Sequence, residues 1–190
     1  MSTRMYNARV IYPYPYYIGA PMYNYARPPM YWAVPYRTDF PYRSGYRQSS
    51  NMNGDIELKD YGSAPFVVDI SKAAEQNNTF RTVIWTGKHL QVVLMSLRPG
   101  EDIGLEVHPN VDQFLRIEEG QGVVRMGKTK DNLDMEKRIH SDSAIVVPAG
   151  TWHNIINTGN TPLKLYTIYA PPQHPFGTVH RTKADAMAAE

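Results

Sequence analysis

From residue 66 onward the apolar residues arrive in short runs. Phe66–Val68, Phe80–Thr86, Leu90–Leu97, Leu105–Val107, Gln113–Ile117, Gly122–Met126, Ala144–Val147, Trp152–Asn157 and Leu163–Tyr169 are rich in Val, Ile, Leu, Thr and aromatic residues. Turn residues divide them at Gly87-Lys88, Pro99-Gly100, Glu119-Gly120, Pro148-Ala-Gly150 and Thr158-Gly-Asn160. About eight short strands with tight turns and almost no helix predict an all-β sandwich or barrel of jelly-roll type. One short helix is expected at Lys72–Gln76, capped by Asp69 or Ser71 and stopped at Asn77-Asn78. A second is expected at Lys183–Ala189, after coil from Pro171 to Thr178. The charged segment 128–143 reads as a hairpin or loop, and Asp55–Ser63 carries no pattern.

Residues 1–54 follow a different rule. Eleven of the fourteen tyrosines lie in the first fifty residues, interleaved with Pro13, Pro15, Pro21, Pro28, Pro29, Pro35 and Pro41. Such spacing blocks helix and interrupts sheet ladders, so extended or polyproline-like chain is expected. The arm therefore reads as a disordered Tyr/Pro-rich tail, although disordered tails are ordinarily poor in aromatics. Tyrosine and arginine together suit an interaction segment. The polar run Gln48–Gly54 reads as a linker, which gives an arm at 1–54 and one folded domain at 55–190.

Charge divides in the same way. Residues 1–50 hold six Arg, no Lys and one acid, Asp39, giving +5; the remainder sums to −3 within a formal net charge of +2. Aromatic-plus-Arg composition is compatible with single-stranded nucleic acid, but no RNP-type motif accompanies it, which argues against a nucleic-acid partner. The absence of cysteine excludes disulfides, thiolate zinc sites and thiol nucleophiles. No run approaches the ~20 apolar residues of a membrane helix. The first ten residues lack an apolar signal region, so cytosolic synthesis without export is the expectation.

Two runs carry the chemistry. In Gly100–Gly120, Glu106 and His108 stand two apart, so on a strand both leave one face, and Pro109-Asn110 turns the chain toward Gln113. In Pro148–Asn157, His153 follows the tight Pro-x-Gly turn. Glu106, His108, Gln113 and His153 together offer one carboxylate, two imidazoles and one amide oxygen, a set suited to a divalent transition metal. Fe, Mn, Ni, Co and Zn all accept such donors. A metal-free pocket is the alternative. His89 and His140 read as surface residues, while His174-Pro-Phe in the tail is placed to fold over a barrel mouth. Trp152 alternates with His153 and should face away from it. Glu119, at a strand end, is a candidate acid or base.

These runs resemble the paired motifs of the cupin superfamily, over roughly residues 64–172. Motif one, at 100–120, keeps Gly100, His108 and Gly120 but has Glu106 in place of the first His and Gln113 in place of the Glu. Motif two, at 142–157, keeps Pro148, Gly150, His153 and Asn157 but has Asp142 in place of its leading Gly. The carboxylate has moved and the formal charge of the donor set stays at −1. The resemblance implies a cupin-type jelly-roll β-barrel (a double-stranded β-helix) with a small-molecule ligand and a metal in the barrel. It also implies a homodimer through the barrel and metal-assisted chemistry on a small oxygenated substrate, of dioxygenase, isomerase or decarboxylase type. The rival expectation is a non-catalytic structural or ligand-binding cupin. The arm resembles the Tyr/Pro-rich segments of bacterial spore-coat proteins, which implies coat or surface-layer partners.

Overall fold

The computed structural model describes residues 47–48 and 54–189. The arm expected at 1–54 lies almost entirely outside the described residues. Its described residues are Gly54 and β1 (Arg47–Gln48), which pairs in parallel with β2 (Phe66–Val67).

Helix α1 (Ile70–Gln76) starts where the sequence offers a cap. The Asp69 carboxylate accepts the Lys72 amide at 3.1 Å, and Asn77 closes the other end. Ala73 and Ala74 are its buried face, and they pack with Ile56, Ile84 and Leu94. Strands β3 (Arg81–Thr86) and β4 (Gln91–Leu97) are therefore covered on both sides. Ile84 and Leu94 lie under the helix, while Val83, Val93, Met95 and Leu97 face the barrel core. This double burial explains why both read as near-continuous apolar runs.

The remaining strands are β5 (Asp112–Glu119), β6 (Gln121–Gly127), β7 (Met135–His140), β8 (Ala144–Val147), β9 (Trp152–Asn157), β10 (Leu163–Ala170) and β11 (Val179–His180). Together with β3 and β4 they form one six-stranded sheet, β11-β3-β4-β10-β5-β8, and one three-stranded sheet, β7-β6-β9. Apart from the short β1–β2 pair, all their ladders are antiparallel. The last long strand, β10, slots between β4 and β5, which gives the crossing connectivity of a jelly roll. Leu97, Leu115, Ile117, Ile145, Val147, Leu163 and Leu165 of the larger sheet meet Val124, Met126, Ile139 and Ile155 of the smaller.

The structure changes several expected elements. Leu105–Val107 is not a strand. Between Gly104, at φ +95°, and Pro109 only the isolated bridge of Glu106 with His153 forms, and Asp102 bridges Ile156 just before Gly104. A backbone at positive φ on one side and a residue without N–H on the other prevent a longer ladder. Segment 128–143 takes the hairpin alternative, because Met135–His140 pairs with β6. Only Ile139 of β7 is buried, so the strand carries almost no apolar signal. The two-residue β11 interrupts the tail after the expected coil, and α2 (Lys183–Ala189) forms as expected.

Candidate metal centre

Motif two opens on a turn. The Thr151 amide donates to the Pro148 carbonyl at 3.1 Å, and Gly150 takes φ +77°, the conformation a type II turn needs at its third residue. The chain then enters β9, where alternation buries His153, Ile155 and Asn157 and leaves Trp152, Asn154 and Ile156 half-buried on the other side. Asp142, which stands where motif two has its leading Gly, adopts φ +71°. Aspartate tolerates this region better than most side chains, and its carboxylate pairs with Arg116 at 2.5 Å.

Motif one is docked onto that strand. Glu106 and His153 exchange backbone hydrogen bonds of 3.0 and 2.9 Å, which fixes them as direct cross-strand neighbours. The Gly150 amide donates to the His108 carbonyl at 2.9 Å, and the Ala149 amide to the Asp112 carboxylate at 2.9 Å. The Pro-x-Gly turn of one motif thus holds the backbone of the other.

Glu106 Oε1 lies 3.3 Å from His153 Nε2 and 3.4 Å from His108 Nε2. One ligand atom from each residue lies within 4.8 Å of the others. The imidazole rings stand 5.6 Å apart at 58°. Burial by itself would raise the Glu106 carboxyl pKa, but the two adjacent imidazoles outweigh it and bring the value down to about 2. His153 Nδ1 lies 3.0 Å from the Thr151 carbonyl, which can only accept. Nδ1 therefore carries a proton, and Nε2 is the ring atom turned toward Glu106.

Gln113, the fourth candidate, is buried at the start of β5. It sits across from Tyr169 in the β5–β10 ladder, and the Tyr169 ring packs edge-on against His108 with centroids 5.6 Å apart. Gln113 Nε2 donates to Thr167 Oγ1 at 3.1 Å. Its Oε1 is buried and has no hydrogen-bond partner among the described residues, while the equally buried His108 Nε2 and His153 Nε2 face the Glu106 carboxylate. Buried acceptors without partners are costly unless something else satisfies them. Ligands 2.0–2.2 Å from one ion stand about 3–4 Å from each other, so the Glu106/His108/His153 cluster fits a single divalent cation.

Three further residues complete the mouth. His174 packs edge-on against Tyr169, with centroids 5.1 Å apart, so the tail does reach the barrel opening. Gln91 pins it: its Oε1 accepts the His174 amide at 2.9 Å, and its Nε2 donates to the His174 carbonyl at 2.8 Å. Burial, together with the Arg81 charge, pushes the His174 pKa down to about 3, so this imidazole is neutral. Thr167 and Gln91 were visible in the sequence only as polar residues on the core-facing parity of otherwise apolar strands. His89 and His140 are exposed, as expected. Glu119 is exposed at the opposite end of the barrel, paired in register with Lys164, and is no part of this site.

Fold and site together define a cupin, and the comparisons with known proteins agree. The cupin domain family matches residues 93–169, and the chain belongs to the cupin superfamily. It is 65% identical over 175 residues to the uncharacterized protein YrkC of Bacillus subtilis (strain 168), covering 92% of this chain and 94% of that protein. It is 48% identical over 115 residues to the uncharacterized protein L612 of Acanthamoeba polyphaga mimivirus, covering 60% and 70%. The crystal structure of BH2720 from Bacillus halodurans superposes with a TM-score of 0.69 at 62% identity, over 69% of this chain and 99% of that one.

Proposed function

We propose that this protein is a metal-binding cupin in which Glu106, His108 and His153 hold a divalent transition metal, with Gln113 Oε1 as a fourth donor. The observation that carries the reading is the convergence of one carboxylate and two imidazole nitrogens within 4.8 Å at the polar end of a barrel. One negative ligand and neutral donors suit Fe, Mn, Ni, Co or Zn. A metal bound there would polarise an oxygen atom of a small ligand. The chain's own residues supply the rest. His153 is held in one tautomer by Thr151, and neutral His174 lies beside Tyr169 at the mouth. The substrate class that fits is a small oxygenated molecule, in a reaction of dioxygenase, isomerase or decarboxylase type. Elemental analysis after dialysis against a weak chelator tests the site. One ion per chain is expected in the wild type, with near-complete loss in His108→Ala and His153→Ala. Equal metal content in all three proteins would refute it.

A second reading is favoured by the composition of the arm, eleven tyrosines among the first fifty residues. In it the barrel is a non-catalytic module carried into a surface layer, such as a spore coat, by arm contacts with coat proteins, and it pairs with a second copy. Replacing the arm tyrosines with Ser should then reduce incorporation into the layer while the barrel stays folded. Unchanged localisation would remove this reading.

A further inference from the structure

Gln113 differs from the other three donors in having two chemically opposed ends. A carboxamide has an oxygen that can ligate a cation and an NH2 that cannot, and the two have nearly the same shape. Which end faces the site is therefore set by the partners of the other end. The fully buried Thr167 lies one cross-strand step from Gln113, since Thr167 pairs with Leu115 and Tyr169 with Gln113. Diagonal neighbours of this kind are within reach of a long side chain. Gln113 Nε2 donates to Thr167 Oγ1 at 3.1 Å, and the buried Oε1 remains without a hydrogen-bond partner among the described residues.

We propose that Thr167 is a positioning residue for the metal centre, its hydroxyl oxygen engaging the Gln113 NH2 so that Oε1 is presented as the ligand. This rests on the metal-binding reading above. Its chemical content is that glutamine in this role needs a companion. A carboxylate has two equivalent oxygens and no wrong orientation, whereas an amide ligand demands a buried acceptor for its NH2. The hydroxyl of Thr167 meets that demand from a strand whose other core-facing residues, Leu163, Leu165 and Tyr169, are apolar or aromatic.

The test is a calorimetric titration of the full chain with Zn2+, with each variant's thermal unfolding followed in parallel. Thr167→Val keeps the shape and removes the acceptor. It should weaken Zn2+ binding roughly tenfold, the scale of lost outer-shell support. Thr167→Ser keeps the hydroxyl and should stay within about twofold of wild type. Gln113→Glu removes the need for a companion. In that background Thr167→Val should change affinity by less than about threefold, against about tenfold with Gln113 present. Undiminished binding by Thr167→Val would overturn the proposal. So would an equal loss in the Gln113 and Gln113→Glu backgrounds, which would reduce Thr167 to packing. A wild type that binds no Zn2+ would overturn the metal-binding reading itself, and this proposal with it.

Discussion

The two ends of the barrel interior are built from the same strands, yet they treat buried polar groups in opposite ways. At one end Leu97, Ile117, Leu163, Leu165 and Ile155 pack together, and the buried polar side chain of Asn157 is fully engaged. Its Nδ2 donates to the Leu97 and Thr161 carbonyls at 2.9 and 2.8 Å, and its Oδ1 accepts the Gly159 amide at 2.9 Å. At the other end the buried Gln113 Oε1 has no hydrogen-bond partner among the described residues, and the buried Nε2 atoms of His108 and His153 converge on Glu106 Oε1. A buried polar group whose bonds are all made is architecture, because removing it exposes only the cost of its lost partners. One whose lone pair is left over points to something that binds there. Both motif residues on β9 illustrate this: Asn157 closes the barrel, while His153 belongs to the Glu106/His108/His153 cluster that could hold a metal ion.

Substitutions at the two ends should therefore separate stability from metal binding. Leu165→Ala removes a fully buried side chain at the apolar end and should cost about 2–5 kcal/mol in denaturant unfolding, with metal stoichiometry unchanged. Asn157→Ala should cost about 1–3 kcal/mol by orphaning two carbonyls, again without metal loss. Loss of metal from either folded variant would break the distinction. At the mouth, Gln113→Ala should weaken metal binding by only about tenfold, since water replaces a neutral donor. The smallest effect expected is on pH dependence. His174, ordinarily near 6.5, titrates at about 3 in the folded chain, because it is buried near Arg81 with His108 and His180 also close and Glu106 opposing them. Between those values the unfolded chain binds the extra proton, so stability falls as pH drops through that window. Melting temperatures at pH 7 and pH 4.5 should fall further apart in wild type than in His174→Gln. Equal intervals would mean that the imidazole is not buried neutral.

Much of this was legible in the sequence. Short apolar runs bounded by turn residues located β5, β9 and β10, and the Pro-x-Gly turn ahead of His153 was readable from the sequence. Glu106 and His108 were paired correctly but on the wrong scaffold. Their two-residue spacing suggested a strand, whereas the backbone makes one bridge to His153 between Gly104 and Pro109. β7 was hard to read because its pairing is carried by backbone hydrogen bonds, with five of its six side chains exposed. The roles of Gln91 and Thr167 depend on register between distant segments, 83 residues apart for the Gln91 contacts with His174 and 54 for the Thr167 contact. No local pattern encodes such partners. Asp142 departs from motif two in residue type, yet it takes a positive φ that glycine adopts freely.

The central claim is that the polar end of the barrel is an anionic metal site in which Glu106 is the one charged donor. Competition against a chromogenic chelator of known affinity, using Zn2+ with wild type and Glu106→Gln, measures it directly. One ion per chain is predicted for wild type. The variant keeps the size and hydrogen-bonding reach of the side chain but should bind more than about 100-fold more weakly, as expected when a cation loses its only negative ligand in a buried pocket. Equal affinities for the two proteins, or a wild type that takes up no ion, would contradict it.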